Sequence, residues 1–168
     1  MCEEMPLVSV GIPTYNRPEG LRRTLECITG QTYQNLEIIV SDNCSPGPET
    51  ERVVREFMEK DSRIQYFRQD ENKGMSFNFN FVLEKATGEY FMWAADDDQW
   101  EEQYIDSCVS ILNKYGNILL CGTYAKIHYK NNLIINYCPD QYNTFMLKKR
   151  NKFSNIVIPT ANTIIYGV

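Results

Sequence analysis

Apolar residues along this chain form two alternating patterns. Short runs of strand length are separated by longer stretches in which apolar side chains recur at helical spacing. The runs predict four buried strands, and the stretches predict four amphipathic helices. The predicted strands are Leu7–Pro13, Leu36–Asp42, Ile64–Arg68 and Glu89–Ala94, and the predicted helices lie between Pro18 and Gly30, at Glu49–Lys60, between Gly74 and Gly88, and at Glu101–Tyr115.

This order of elements predicts an α/β fold with a mostly parallel sheet and helices on both faces. Further along, Ile118–Tyr129 and Leu133–Tyr137 are joined by a short polar segment and predict an antiparallel hairpin. No element is predicted at Asp140–Ser154, whereas Asn155–Val168 is predicted to end in a strand. With 168 residues, the chain is expected to form a single domain, 1–168.

Composition and charge narrow the function classes. A net charge of -5 argues against a nucleic-acid partner, which needs a basic face. The six cysteines are scattered without a CxxC pair, which indicates reduced thiols in a cytosolic protein. There is no signal-peptide pattern and no apolar stretch of the roughly 20 residues that span a bilayer. We therefore expect a cytoplasmic protein, with peripheral attachment to the inner face of the membrane left open.

Three consecutive aspartates, Asp96–Asp98, directly follow the fourth predicted strand. Adjacent like charges cost stability unless a cation or hydrogen bonds compensate them. Mg²⁺ accepts one or two carboxylates and completes its shell with water and phosphate oxygens, so one interpretation is a metal that holds a diphosphate. The other is an acidic turn that caps the helix starting near Glu101. The single histidine, His128, argues against a histidine-rich metal site or a Ser/His/Asp triad.

Polar residues also follow the first two predicted strands, at Thr14–Asn16 and Asp42–Asn43. The carboxyl ends of parallel strands lie along one edge of a sheet, where ligands bind in open α/β folds. Asp42 could accept a hydrogen bond from the ring N–H of a pyrimidine, and Tyr15 could pack against the base. The start of the third helix offers N–H groups to an anion, near Asn72, Gly74, Ser76 and Asn80. Ordinary loop and cap chemistry is the alternative for each of these residues.

No G-x-G-x-x-G or P-loop pattern follows any predicted strand. Instead, several blocks in order resemble those of family 2 glycosyltransferases, which have the GT-A (Rossmann-like) fold. The blocks are Val8–Arg17 (VSVGIPTYNR), Glu37–Asn43 (EIIVSDN), Asn72–Gly74 (NKG), Ala86–Tyr90 (ATGEY) and Ala95–Asp98 (ADDD). The resemblance covers about Leu7 to Trp100, so 7–100 is expected to be the nucleotide-sugar-binding half and 101–168 part of the acceptor side.

The resemblance implies transfer of a sugar, with inversion, from a nucleotide-diphosphate donor to a polysaccharide, a lipid-linked glycan or a protein glycan. It implies Mn²⁺ or Mg²⁺ as cofactor, held by Asp96 and Asp98. The residues implied in nucleotide-sugar binding are Pro13, Thr14, Tyr15, Asn16, Arg17, Asp42, Asn43, Asn72, Gly74, Asn80, Asp96 and Asp97. A homodimer is left open.

The chain departs from the family pattern in three places. Phe79 stands where many relatives carry an arginine. The first acid of the DxD motif can align with Ala95 or with Asp96. No residue matches the family's catalytic base, which is expected beyond Val168. Two alternatives therefore stay open: a nucleotide-sugar-binding module without transfer activity, and a nucleotidyltransferase. A nucleotidyltransferase usually has a glycine-rich, basic loop after the first strand, and this chain lacks one there.

Overall fold

Strands and helices alternate along the first two thirds of the chain, as the hydrophobic pattern predicts. A computed structural model describes residues 5–115, 120–121, 125–128, 134–137 and 146–148. The first eight elements are β1 (Val8–Thr14), α1 (Pro18–Thr29), β2 (Leu36–Asp42), α2 (Glu49–Met58), β3 (Ile64–Arg68), α3 (Met75–Lys85), β4 (Tyr90–Trp93) and α4 (Tyr104–Lys114). Four short strands follow: β5 (Leu120–Cys121), β6 (Ala125–His128), β7 (Ile134–Tyr137) and β8 (Met146–Lys148).

The main sheet has the strand order β3-β2-β1-β4-β8-β5. Its first four strands are parallel, and β8 pairs antiparallel with both β4 and β5. β1 lies at the centre of the parallel part, and all seven of its residues are buried. Strands covered on both faces consist largely of apolar residues, which explains the runs in the sequence. The predicted α/β fold with a mostly parallel sheet is confirmed.

The sheet separates two apolar cores. Neighbouring residues of a strand point to opposite faces, so Ile38 belongs to one core and Ile39 to the other. The larger core contains the apolar sides of α1, α2 and α4, and the smaller one contains Val82 of α3 and Phe91 of β4. Helices therefore cover both faces, as predicted, with α3 alone among the described helices on its face.

A glycine in β1 lets α3 approach the sheet closely. A Cβ atom on Gly11 would lie 2.6 Å from Cγ2 of Val82 and 2.8 Å from Cζ of Phe91. Such separations are far below van der Waals contact, so any side chain at this position would push α3 away from the strand. The position of Gly11 therefore sets the distance between the smaller core's helix and the central strand.

A buried carboxylate ties the three central strands together at the opposite edge from the aspartates. Glu37 in β2 accepts hydrogen bonds from the Ser9 hydroxyl in β1 and from the backbone N–H groups of Thr87 and Gly88, just before β4. The Thr87 hydroxyl also donates to it, at 2.9 Å. Burial by itself would raise the pKa of Glu37, but the hydrogen bonds from Ser9 and Thr87 lower it below its ordinary value. The Ala86–Tyr90 block thus has a structural role.

Several predicted boundaries differ from the structure. Helix α4 begins at Tyr104, three residues after the predicted Glu101, and α2 ends at Met58 rather than Lys60. Strand β8 lies within Asp140–Ser154, where no element was predicted, because its pairing with β4 is a long-range contact. β6 and β7 pair antiparallel, but the residues that connect them and the predicted strand at Asn155–Val168 lie outside the described residues. No helix in the described part is long and apolar enough to cross a membrane.

We expect Glu37→Gln to lower the free energy of unfolding by about 1–3 kcal/mol at pH 7, because several donors would lose a charged acceptor. The folded-state pKa of Glu37 is lowered, so its ionised form stabilises the fold above the unfolded pKa of about 4.3. That contribution is lost as the pH falls through the folded pKa, and the difference between the two proteins should shrink there. Urea unfolding at pH 7 and below pH 4 measures this.

The exposed Glu84 on α3 supplies a matched control, since Glu84→Gln makes the same chemical change at the surface. If Glu37→Gln and Glu84→Gln unfolded at the same urea concentration at pH 7, the anchoring role of Glu37 would be wrong.

Candidate active site

Three strand ends meet at one edge of the sheet. Thr14 and Asp42 are partners in the register of β1 and β2. The Thr14 hydroxyl donates to Oδ2 of Asp96 at 2.7 Å, which joins the end of β1 to the segment after β4. The buried Pro13 precedes Thr14 in β1. The structure therefore brings together the polar residues of all three strand ends that the sequence analysis singled out.

Helix α1 holds the backbone of the aspartate segment. The Thr24 hydroxyl donates to the carbonyl oxygens of Ala95, at 3.1 Å, and Asp98, at 3.3 Å. A Cβ atom on Gly20 would lie 2.1 Å from the carbonyl oxygen of Asp96, so only glycine permits this approach. The aspartate side chains are thus carried on a backbone that packs directly against α1, with the carbonyl oxygens turned towards the helix.

The three aspartates lie in different environments. Asp96 is 8% exposed, and burial raises its pKa although Thr14 and Arg17 act in the opposite direction. Asp97 is exposed and pairs with Arg17, whose Nη1 lies 2.6 Å from Oδ2. Within the described residues, no donor contacts the Asp98 carboxylate. Asp98 is also an exposed residue, although neighbouring protein atoms reduce its hydration. This desolvation, followed by the charges of Asp97 and Asp96, raises the pKa of Asp98 to about 6.

The capping alternative for these aspartates is wrong. Helix α4 begins at Tyr104, and its N-cap residue is Gln103, with no hydrogen bond from a side chain. Asp98 is five residues before that cap and donates its own N–H to the Ala95 carbonyl in a turn, at 3.3 Å. Asp96 and Asp97 instead contact Thr14 and Arg17, at the end of β1 and in the loop that follows it, and none of the three aspartates is the N-cap of α4.

The aspartate segment fits a divalent metal that shares its shell with a phosphate group. Carboxylate oxygens are the donors that Mg²⁺ and Mn²⁺ prefer. Among the described residues, no three His, Cys, Asp or Glu side chains form a complete cage. A cage is not required, because Mg²⁺ usually takes one or two carboxylates and keeps water and substrate oxygens in its other positions. No donor among the described residues contacts the carboxylate oxygens of Asp98, and a cation there would offset the charge of its neighbours.

Asp42 organises the loop after β2. One oxygen accepts the Ser45 N–H, at 2.9 Å, and the Ser45 hydroxyl, at 2.6 Å. The other accepts the Tyr66 hydroxyl at 3.0 Å, with Nε of Arg68 at 3.7 Å. The Asp42 side chain is 1% exposed, so both oxygens are directed at protein donors. Its carboxylate therefore fixes this loop as well as marking the end of the strand.

The loops after β1 and β2 contact each other beside an exposed aromatic ring. The Asn16 N–H donates to the Ser45 hydroxyl at 2.8 Å, so Ser45 connects Asn16 to Asp42. Asn16 and Cys44 have positive φ angles, of 53° and 64°, as expected for tight turns. Tyr15 is 44% exposed at the tip of the first loop. This ring is available to a planar ligand group along the same edge of the sheet.

The loop before α3 is attached to the end of β2 through two asparagines. Asn43 donates to the side-chain oxygen of Asn72 at 2.8 Å and accepts the Lys73 N–H at 3.0 Å. The same Asn72 oxygen accepts the N–H of Gly74 at 2.9 Å. Gly74 has a φ of 87°, which favours glycine. It is the N-cap residue of α3, and no side-chain hydrogen bond caps the helix there. Ser76 and Asn80 are exposed on the first turns of the helix.

Asn78 is a site-positioning residue that the sequence analysis missed. Its amide is buried and donates to the carbonyl oxygens of Ser41, at 2.9 Å, and Thr14, at 3.2 Å. It also accepts the Ser41 hydroxyl at 2.6 Å, so α3 is hydrogen-bonded to the ends of both β1 and β2. The available signal was its position four residues before the core residue Val82, which places an amide on the apolar side of α3.

Comparison with known proteins identifies the family. The family model described as "Glycosyl transferase family 2" matches residues 9–166. This chain belongs to glycosyl transferase family 2. The resemblance found in the sequence blocks is confirmed, and the match extends beyond them into the later part of the chain.

Curated family 2 relatives are longer than this chain. An uncharacterized glycosyltransferase of Rickettsia felis is 33% identical over 96% of this chain, which corresponds to 26% of the relative. The GalNAc(5)-diNAcBac-PP-undecaprenol beta-1,3-glucosyltransferase of Campylobacter jejuni is 34% identical over 69% of this chain and 39% of the relative. The chain thus spans about a quarter of the length of the first relative.

Two solved structures share this fold. The mannosyltransferase PcManGT from Pyrobaculum calidifontis, in complex with GDP-Man and Mn²⁺, has a TM-score of 0.64 and is 26% identical. The match covers 70% of this chain and 35% of PcManGT. S. aureus TarS 1-349 in complex with UDP-GlcNAc has a TM-score of 0.59 at 23% identity, over 65% of this chain and 32% of TarS, which shows likeness of fold. The family 2 domain of this chain is therefore of the GT-A type.

We expect Asn78→Ala to destabilise this family 2 domain by about 2 kcal/mol, because three buried hydrogen bonds, to the carbonyls of Thr14 and Ser41 and from the Ser41 hydroxyl, would be lost. Asn80→Ala on the same helix removes the same group from an exposed position and should change the free energy of unfolding by less than about 0.5 kcal/mol. Chemical denaturation of both variants makes the comparison. Equal stability of the two variants would show that Asn78 does not hold α3 to the strand ends.

Proposed function

We propose that this chain forms the donor-binding half of a glycosyltransferase that uses a nucleoside diphosphate sugar and a divalent metal, with inversion at the sugar. The observation that carries the proposal is the hydrogen bond between Thr14 and Asp96, which joins the end of the central strand to the aspartate segment. Thr14 is followed directly by the exposed Tyr15, so this hydrogen bond places an aromatic residue and the aspartate segment at the same edge of the sheet.

The proposed site has a nucleoside part and a diphosphate part. In the nucleoside part, the exposed ring of Tyr15 packs against the base, beside the Asp42 and Ser45 network. Asp42 either reads the base after exchanging a protein donor for a base N–H, or holds the loop that does so. Arg17, Asn43, Asn72 and Asn80 border the same edge as further polar contacts for the donor.

In the diphosphate part, Asp98 and Asp96 would hold Mn²⁺ or Mg²⁺, with Asp97 beside them. The metal, when bound, would neutralise negative charge on the leaving nucleoside diphosphate. Thr14 keeps Asp96 oriented through its hydrogen bond, and Thr24 binds the carbonyl oxygens of Ala95, just before the aspartates, and of Asp98, the last of them. Charge separation in the reaction is then countered by groups held in place before the donor arrives.

Transfer also requires a base for the acceptor hydroxyl, and inversion requires attack in line with the leaving group. We assign this base to none of the residues of the donor half. The acceptor we propose is a glycan or lipid-linked glycan, and the Campylobacter jejuni relative, whose name describes transfer to a glycan on undecaprenol diphosphate, supports that class. The name of PcManGT in complex with GDP-Man and Mn²⁺ supports the donor class and the metal.

We expect nucleoside diphosphate binding to depend on the metal and on Asp98. Calorimetric titration of UDP and GDP into the protein should give measurable affinity with Mn²⁺ and little with EDTA. Asp98→Asn should weaken the Mn²⁺-dependent affinity by about tenfold or more, because an amide is a poorer metal ligand than a carboxylate. Asp106→Asn, an exposed position on α4, is the matched control and should bind as the wild type does. Affinity that is unchanged by EDTA and by Asp98→Asn would overturn the metal assignment.

We expect Asp42→Asn to change which nucleotide is preferred, because an acceptor-only group becomes one that also donates. Affinity for the preferred nucleotide should fall roughly tenfold, through an altered base contact and through mismatched donors at Ser45 and Tyr66. Tyr66→Phe removes one donor and keeps the carboxylate, so it should preserve the preference. Competition among UDP, GDP, CDP and dTDP measures the effect. An Asp42→Asn protein with the wild-type order of preference and no Mn²⁺ binding would contradict the proposed role.

A further inference from the structure

Arg17, in the loop between β1 and α1, holds its positive charge beside the aspartate segment. Its Nη1 lies 2.6 Å from Oδ2 of Asp97 and 3.6 Å from Oδ1 of Asp96. Among the described residues, Arg17 is the cationic side chain within ion-pair distance of these aspartates. The guanidinium therefore balances part of the charge that three consecutive carboxylates create.

The backbone of Arg17 is held in place, whereas its side chain is partly exposed to solvent. Arg17 is the N-cap residue of α1, Pro18 follows it at the first helical position, and its carbonyl accepts the Leu21 N–H at 2.9 Å. The Arg17 side chain is 41% exposed, compared with 11% for the side chain of Asp96. Rotation about the side-chain bonds can therefore turn the guanidinium away from the carboxylates without moving the helix.

A guanidinium and a divalent cation cannot share these oxygens at low cost. Nη1 of Arg17 lies 3.6 Å from Oδ1 of Asp96, a proposed metal ligand, and like charges close together repel strongly in a partly buried site. Metal binding at Asp96 must therefore either displace Arg17 from the aspartate segment or be weakened by it. An incoming diphosphate adds negative charge and offers Arg17 a new anionic partner of the kind that guanidinium groups bind well.

We propose that Arg17 competes with the divalent metal at the aspartate segment, where Asp96 is both a proposed metal ligand and within ion-pair distance of Arg17, and so makes metal binding depend on the nucleoside diphosphate. This inference rests on the proposed function, since it takes the aspartate segment as the metal site. In thermodynamic terms, Arg17 increases the coupling between metal and nucleotide: each improves the affinity for the other by more than it would without the arginine. The metal would then bind tightly only together with the donor.

A purely structural role for Arg17 makes a different prediction. If the ion pair only supported the loop after β1, its removal would lower stability and leave metal affinity unchanged or weaker. Competition predicts the opposite sign for the metal, namely tighter binding after a favourable contact has been removed. The sign of the change in Mn²⁺ affinity therefore separates the two roles.

The test measures the Mn²⁺ dissociation constant from the electron paramagnetic resonance signal of free Mn²⁺, with and without UDP or GDP. The proteins are wild type, Arg17→Gln, Arg17→Lys and Arg22→Gln. Arg22 pairs with Glu56 at 2.8 Å between α1 and α2, so Arg22→Gln makes the same change in net charge at an ion pair that does not involve the aspartates.

In Arg17→Gln, we expect Mn²⁺ alone to bind about three- to tenfold more tightly, the range for losing one partly exposed competing charge. The gain in Mn²⁺ affinity that the nucleotide provides should shrink by at least the same factor. Arg17→Lys should retain most of the wild-type coupling, and Arg22→Gln should equal the wild type.

Equal or weaker Mn²⁺ binding by Arg17→Gln, or the same gain in Arg22→Gln, would overturn the competition while leaving the proposed function in place. Failure of every protein, Arg17→Gln included, to bind Mn²⁺ with nucleotide present would instead overturn the metal assignment of the proposed function, and this inference with it.

Discussion

The close contact between α1 and the aspartate segment is the constraint on which the site depends. Gly20 has no side chain to keep the helix from the Asp96 carbonyl, and the Thr24 hydroxyl binds the carbonyls of Ala95 and Asp98. Because the backbone is held from the helix side, the carboxylates are left to face the strand ends. Thr14 then orients Asp96 across the gap between β1 and the segment after β4. Any side chain at position 20 would push α1 away from the aspartate segment.

Carboxylates at the two ends of the parallel strands have different surroundings. Glu37 has a donor for each oxygen, and those hydrogen bonds lower its pKa despite burial, as befits a structural anchor. Asp98 has no donor among the described residues and two acidic neighbours, and its pKa is raised to about 6. One carboxylate is therefore satisfied within the fold, and the other is left with a charge that a bound cation can offset. This contrast agrees with a site at the aspartate edge.

The smaller face of the sheet also contributes to the site. Helix α3 lies close to β1 over Gly11, and Asn78 connects it to the carbonyls at the ends of β1 and β2. The asparagine pair Asn43–Asn72 holds the loop that leads into the same helix. The strand ends are thus braced from both faces, by α1 on one side and α3 on the other. A ligand along this edge would meet groups whose positions are set by helices packed on the sheet.

The sequence by itself determined the order of the first eight elements and the α/β class, because buried parallel strands and amphipathic helices leave local, periodic patterns. The family was indicated by the resemblance of its sequence blocks to those of family 2 glycosyltransferases. The sequence also singled out the three strand ends, since polar residues directly after apolar runs form a local sequence pattern. The tertiary structure alone decided that Asp42 is enclosed by Ser45 and Tyr66, that Asn78 rather than the exposed Asn80 is buried, and that Arg17 contacts Asp97. It also decided that β8 pairs with β4. Each of these contacts joins residues far apart in the chain or depends on the rotamer of a side chain. A local sequence pattern specifies neither the distance between remote residues nor a rotamer.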